Sequence, residues 1–151
     1  MKVTAAESKV IAEKHFAQWF ESAGDFYKTY KYHLSKNMYK LAAFDLHQAT
    51  ERFYSCLLLV LTNYKPYTHN LALFNTLAIL QNEKIAEVFP QDNKMQRSRF
   101  QLLKNAYVDA RYSEHYEITQ EELIWLAGRV ECLQQLTEKL CREKIESFVA
   151  V

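Results

Sequence analysis

Two segments of this sequence place charged side chains on stretches that otherwise have the apolar pattern of buried helices. Residues 46–52 contain His47 and Glu51, and residues 107–112 contain a second such set. A buried helix avoids charges unless they pair with one another or take part in chemistry. A basic, aromatic turn, residues 65–71, lies between the two segments. Together the three segments predict a small-ligand or nucleotide site in a helical bundle.

The pair His47 and Glu51 lies one helical turn apart. On a helical wheel both residues point away from the main apolar stripe of their helix, which consists of Ala42, Leu46, Ala49 and Phe53. Other apolar residues share their sector, so we expect this helix to be covered on both sides, by its own bundle and by a second subunit. The alternative is a solvated helix face that carries an ordinary i,i+4 pair.

Arg111 falls on the apolar stripe of the fourth predicted helix, which directs a permanent charge toward the core. Such a charge needs a carboxylate or a ligand anion. Glu51 is the first expected partner, followed by Asp45 and Asp109. The alternative is an arginine near a helix C-terminus that extends to water.

Arg111 and His115 lie close together in the sequence and form a second candidate site for chemistry. Such a pair could cleave a phosphodiester, with the histidine as base and the arginine stabilising phosphate charge. His115 is also typical of an ordinary surface loop residue. His69 is expected at a helix start, beside Thr68 and Asn70. No zinc-ligand spacing or Gly-rich phosphate loop is visible, so neither a metal nor another cofactor is predicted.

The composition indicates one globular domain. The chain has 151 residues, of which 49% are hydrophobic and 25% are charged, with only 2 Gly and 2 Pro. So few turn formers argue against a β-sandwich or barrel. A net charge of +1 excludes a general basic field for nucleic acid. The three cysteines form no Cys-x-x-Cys pair, residues 1–7 show no signal region, and no apolar run is long enough to span a bilayer. We therefore expect a cytoplasmic protein with no membrane contact.

Helical periodicity runs through the whole chain and predicts an all-α fold. We expect an up-down antiparallel bundle of four long helices plus one short helix. The predicted long helices are 4–36, 38–62, 92–112 and one that begins at Thr119, and the short helix follows residue 70 and continues toward Val88. Thr4 with Glu7 and Thr119 with Glu122 have the spacing of capping boxes. Pro66 is expected to stop the second helix.

Residues 43–52, 66–71 and 107–112 together resemble the HEPN domain (higher eukaryotes and prokaryotes nucleotide-binding). The three motifs keep the order and spacing of that family, and the resemblance covers about residues 6–144. It implies an up-down helical bundle, a homodimer, and association with a minimal nucleotidyltransferase domain, in a separate chain or in the same one. Residues 12–20 resemble the fused versions. The chain 1–151 is therefore expected to be a single HEPN-like domain and is a candidate for the C-terminal part of a longer protein.

Two positions depart from the ribonuclease members of that family. Those members separate the arginine and the histidine by more residues, whereas here only residues 112–114 stand between Arg111 and His115. Many members also carry a lysine one turn after the carboxylate of the second helix, where this chain has Ser55. The Arg-Tyr sequence at residues 111–112 resembles the branch that is linked to nucleotide binding.

Three functions compete at this point. The leading hypothesis is a module that binds a nucleotide or a phosphorylated small molecule while a nucleotidyltransferase, in cis or in trans, performs any transfer. Its cleft is expected to be lined by His47, Glu51, Lys65, His69, Arg111 and Tyr112. The second hypothesis is an RNase toxin of a toxin–antitoxin pair that acts on RNA through Arg111 and His115. The third is a purely structural dimerisation domain.

Overall fold

The fold is an all-α bundle, as the periodicity predicts. The computed structural model describes residues 3–149, and this range contains no β-strand. Met1, Lys2, Ala150 and Val151 lie outside this range. The expectation that residues 1–7 contain no signal region therefore falls partly on residues that the structure does not describe. The helices are α1 Ala5–Ser35, α2 Tyr39–Thr62, α3 Leu71–Gln81, α4 Lys94–Asn105, α5 Asp109–Tyr112 and α6 Gln120–Ser147. A 3-10 turn, Glu83–Glu87, follows α3.

Helix α2 is the centre of the bundle. It packs against α1, α3 and α6, and also contacts α4 and α5. Its residues are buried almost without interruption from Ala42 to Val60. The second apolar side of α2, which suggested a partner subunit, is therefore covered by helices of the same chain. The homodimer stays a prediction that rests on the family resemblance.

Local hydrogen bonds set the helix ends. Both predicted capping boxes are present, at Thr4 with Glu7 and at Thr119 with Glu122. Helix α2 ends at Thr62, as predicted, and the residue that ends it is Asn63, which adopts a left-handed conformation with φ 57°. Asparagine tolerates this conformation and terminates helices in this way.

Two predicted segments differ from the structure. The helix after residue 70 does not continue to Val88, because Asn82 is extended and its side chain accepts a hydrogen bond from the next turn. The predicted helix 92–112 is divided, since residues 106–108 form a turn between α4 and α5. Three buried residues, Leu103, Ala106 and Ala110, keep helical spacing across this turn. The spacing of apolar residues in the sequence therefore cannot reveal a one-turn interruption of this kind.

The three cysteines lie on α2 and α6. Cys56 and Cys141 are buried, whereas Cys132 is half-buried. A hydrogen bond with Cys141 and burial both raise the pKa of the Cys56 thiol, which makes it inert at neutral pH. None of the helices found between residues 3 and 149 combines the length and the apolar character needed to cross a bilayer.

The central position of α2 predicts a clear contrast between two leucines. Leu57 on α2 is 0% exposed and Leu80 on α3 is 74% exposed. Leu57→Ala should lower the free energy of unfolding by about 2–5 kcal/mol, because it opens a cavity in the core. Leu80→Ala should change it by less than about 0.5 kcal/mol. Urea denaturation of both variants measures the difference, and equal effects would contradict the placement of α2.

Candidate functional site

The loop between α2 and α3 is fixed at both ends and lies against α2. Asn63 ends α2, and Pro66 is buried. The Thr68 hydroxyl accepts a hydrogen bond from the backbone N–H of Asn70, and the Asn70 side chain caps the first turn of α3. The residue between them, His69, is thereby held next to the middle of α2.

His69 makes two contacts with α2. Its Nδ1 donates to Oε1 of Glu51 over 2.6 Å, and its backbone carbonyl accepts from Nε2 of His47 over 3.0 Å. Glu51 is only 8% exposed, and its other oxygen lies 3.5 Å from Nη1 of Arg52. A nearly buried carboxylate is thus paired with two side chains that can carry positive charge, as a buried charge requires.

The contacts close into a ring. Gln48 donates from Nε2 to Nδ1 of His47 over 3.2 Å, and its Oε1 accepts from Nη1 of Arg52 over 2.7 Å. Since Arg52 pairs with Glu51, and Glu51 with His69, each of the five residues is linked to two others of the set. The partners also define the tautomers, because His47 must carry its proton on Nε2 and His69 must carry one on Nδ1. We call this set, His47, Gln48, Glu51, Arg52 and His69, the polar ring.

His47 is the neutral member of the polar ring. Its pKa is lowered to about 4, mainly by burial. The hydrogen bond that His47 donates to the His69 backbone carbonyl acts against this shift, whereas the nearby His69, Arg111 and Arg52 add to it. At neutral pH His47 is therefore an uncharged structural link that ties the loop to α2.

Aromatic stacking extends the site from the polar ring to the surface. Tyr107, in the turn between α4 and α5, stacks on His69 with ring centroids 3.7 Å apart and planes at 15°. The Arg111 guanidinium lies 4.6 Å from the Tyr107 ring centroid, 4.5 Å from that of Phe44 and 4.9 Å from that of Tyr112. Its Nε donates to the Tyr107 carbonyl over 2.8 Å. Three aromatic rings thus hold an exposed cation.

The terminal nitrogens of Arg111 are open to a ligand. Across residues 3–149 no carboxylate lies within ion-pair distance of this guanidinium, and Nε is its only donor with a protein acceptor. An open cavity of about 340 Å³ borders the same turn and is lined by Thr68, His69, Asn70, Lys104, Tyr107 and Asp109, among others. Within the described range no group of three or more His, Cys, Asp or Glu is placed to hold a metal ion.

The sequence matches the HEPN domain family over residues 16–140, which is most of the chain. The chain belongs to the HEPN family. It is therefore a helical module of a family related to nucleotides and RNA. No protein of curated function matches it.

The HEPN fold brings most of the predicted site residues together. His47 and Glu51 lie under His69, and Tyr107 connects His69 to Arg111. Tyr112 is on the exposed side of Arg111. Lys65 lies apart from the cavity, with its amine over the rings of Trp19 and Tyr67.

Two expectations about Arg111 are wrong. It is exposed rather than directed to the core, because the buried positions of this segment are Leu103, Ala106 and Ala110. It also does not pair directly with a carboxylate. Glu51 is taken by His69 and Arg52, and Asp45 pairs with His33. Asp109 forms no ion pair in the described part of the chain.

Sequence reasoning missed three residues of this HEPN site. Gln48 and Arg52 close the polar ring, and their i,i+4 spacing on one helix was the available signal. Tyr107, which connects His69 to Arg111, is not among the ligand-binding residues predicted from the sequence. His115 is placed very differently: its side chain is 89% exposed, and its Nε2 lies 3.6 Å from Oε1 of Glu114.

The neutral state of His47 predicts a pH dependence of stability. Between pH 6.5, the ordinary value, and about 4, the unfolded chain binds a proton at His47 that the folded chain does not bind. The free energy of unfolding should therefore fall as the pH is lowered through this range, by on the order of 3 kcal/mol in total. His47→Gln should lack this contribution.

Urea denaturation at about pH 7.5 and about pH 4.5 measures it. Burial raises the pKa of Asp45, so protonation of Asp45 favours the folded state as the pH falls. That opposite effect is present in both proteins and cancels in the comparison. The same loss of stability in His47→Gln and in the unmodified chain would contradict the prediction.

Proposed function

We propose that this HEPN domain binds a nucleotide, or a similarly phosphorylated small molecule, at the surface formed by His69, Tyr107 and Arg111. The observation that carries the proposal is the unpaired guanidinium of Arg111, held against three aromatic rings. An arginine fixed in this way has lost much of its rotamer freedom before the ligand arrives, which lowers the entropic cost of binding.

The chemistry of the surface suits a phosphorylated ligand with a polar organic part. Arginine binds phosphate oxygens through two parallel hydrogen bonds. Lys104 at the cavity adds a second positive charge, and Asp109 offers an acceptor for hydroxyl or amino groups. The volume of about 340 Å³ is at the lower end of the range for small-molecule sites. Arg111 does not itself line this cavity, but Tyr107, which lies under its guanidinium, does. A ligand with its phosphates at Arg111 would therefore reach the cavity past Tyr107.

The proposal assigns binding to this domain and transfer chemistry to a nucleotidyltransferase domain, in the same protein or in a partner. Phosphoryl and nucleotidyl transfer by such enzymes needs carboxylates that hold Mg²⁺. The described cavity contributes a single acidic residue, Asp109. The association itself is inferred from the resemblance of residues 12–20 and of the three motifs.

RNA cleavage through Arg111 and His115 is the weaker alternative. A catalytic histidine is normally held by a third group that fixes its orientation. Among the residues that the structure describes, the charged partner of the His115 side chain is Glu114 at 3.6 Å, and both side chains are almost fully exposed. Neither a toxin role nor a purely structural dimerisation role has a specific contact in its favour.

Titration of the purified chain with ATP by calorimetry tests the proposal. Arg111→Lys should weaken binding by roughly 10-fold, which is about 1.4 kcal/mol, because lysine keeps the charge and loses the bidentate fork. Arg142→Lys is the matched control, since Arg142 also lies over an aromatic ring, that of Phe16, at the surface. Lys65→Ala should have little effect, because the Lys65 amine lies over the rings of Trp19 and Tyr67 and not over those that hold Arg111.

Incubation with RNA completes the test. The expected result is intact RNA. Cleavage that disappears in His115→Ala would overturn the proposal in favour of the RNase hypothesis, since loss of a general base or acid abolishes such a reaction. Failure to bind either ATP or GTP, with RNA also intact, would overturn it in favour of a structural dimerisation domain.

A further inference from the structure

His69 combines two properties that no other described histidine combines. Its Nδ1 is hydrogen-bonded to a carboxylate, that of Glu51, over 2.6 Å. Its side chain is also 50% exposed and borders the cavity beside Lys104. Because Nδ1 carries the proton, the lone pair of the neutral ring is on Nε2, and Nε2 has no hydrogen-bond partner within residues 3–149.

Two other histidines each have one of these properties. His33 is also bonded through Nδ1 to a carboxylate, that of Asp45, but its side chain is only 19% exposed. His115 is 89% exposed, but its Nε2 is the nitrogen that faces a carboxylate, at 3.6 Å. The His33 ring is therefore held in one orientation but is poorly accessible to a ligand. The His115 ring is accessible but is not held in one orientation.

The surroundings of His69 hold the imidazole in one position. Tyr107 covers a face of the ring at 3.7 Å, and His47 fixes the backbone carbonyl of the same residue. Glu51 is itself held by Arg52 at 3.5 Å. A nucleophile whose orientation is fixed by a partner that is in turn fixed is the usual arrangement in covalent catalysis.

We propose that His69 is a phosphoryl acceptor, modified on Nε2 by a phosphorylated donor with a good leaving group. The class of donor rests on the proposed function, which places phosphates at this surface. In the step, the Nε2 lone pair attacks phosphorus and forms an N–P bond, while the bond from phosphorus to the leaving group breaks and the leaving group keeps its electron pair.

The protein can stabilise both charged parts of the product, the positively charged ring and the negatively charged phosphoryl group. The proton stays on Nδ1, so the phosphorylated ring is positively charged and its charge faces the Glu51 carboxylate. Lys104 lines the cavity, and its flexible side chain can carry the amine from its place over the Phe100 ring to the phosphoryl oxygens. In this scheme His69 is the nucleophile, and Glu51 is a positioning residue that acts through it.

The test uses potassium phosphoramidate, a small donor from which ammonia leaves after taking a proton from the solvent. The folded chain is treated near neutral pH, and the modified histidines are mapped by mass spectrometry under alkaline conditions, because the N–P bond is acid-labile. His69 should be labelled roughly 10-fold or more faster than His33 and His115 in the same sample. Phosphorus NMR should place the group on Nε2. Labelling of His115 as fast as that of His69 would overturn the proposal, because exposure alone would then explain it.

Variants separate the role of Glu51 from general stability. His69→Gln should remove the fast labelling, whereas His33→Gln and His115→Gln should leave it unchanged. Glu51→Gln should slow labelling of His69 about 10-fold, and nitrogen NMR should show that the ring no longer keeps its proton on Nδ1 alone. Unchanged labelling in folded Glu51→Gln would also overturn the proposal. If that variant does not fold, the comparison of the three histidines in the unmodified chain decides.

This experiment does not require nucleotide binding. If the chain is labelled at His69 but does not bind ATP, the proposed function fails and the acceptor role stands. If it binds ATP through Arg111 and His69 reacts no faster than His115, the proposed function stands and the acceptor role fails.

Discussion

The hydrogen bond between Glu51 and His69 is the interaction on which the rest of this site depends. Glu51 lies in the middle of the most buried helix of the bundle, where an unpaired carboxylate would be strongly destabilising. Its partners come from the same helix and from the following loop. Satisfying one buried charge therefore fixes a loop that would otherwise be free to move, and that loop is where the accessible chemistry lies.

Two successive contacts, from His69 to Tyr107 and from Tyr107 to Arg111, connect the polar ring on the buried helix to the surface. The polar ring holds His69, and His69 provides the platform on which Tyr107 stacks. Tyr107 in turn lies under the Arg111 guanidinium and accepts its Nε hydrogen bond. Tyr107 lies in the turn at residues 106–108, and Arg111 lies outside the buried stripe of Leu103, Ala106 and Ala110, so its guanidinium stays at the surface.

The sequence contains enough information for the helices and for the identity of most site residues, but not for their pairing. Helix starts at Thr4 and Thr119 follow from local capping, which depends on residues three apart. His47 and Glu51 stand out because they are polar positions on an apolar helix. The partner of Glu51 lies 18 residues away in a loop, and no periodic pattern reports such a contact. The turn after α4 was missed for the same reason, since its buried residues keep helical spacing.

The incorrect pairing of Glu51 with Arg111 has a consequence for function. If the two had formed an ion pair, the guanidinium would be neutralised and its fork occupied, and a phosphate would have to compete with a carboxylate. Instead, Glu51 is satisfied by His69 and Arg52, and Arg111 rests on aromatic faces that leave its terminal nitrogens available. An aromatic surface orients a cation without cancelling its charge. The pairing of Glu51 with His69 and Arg52 thus has an indirect effect on the surface, because it leaves the Arg111 guanidinium free to bind an anion.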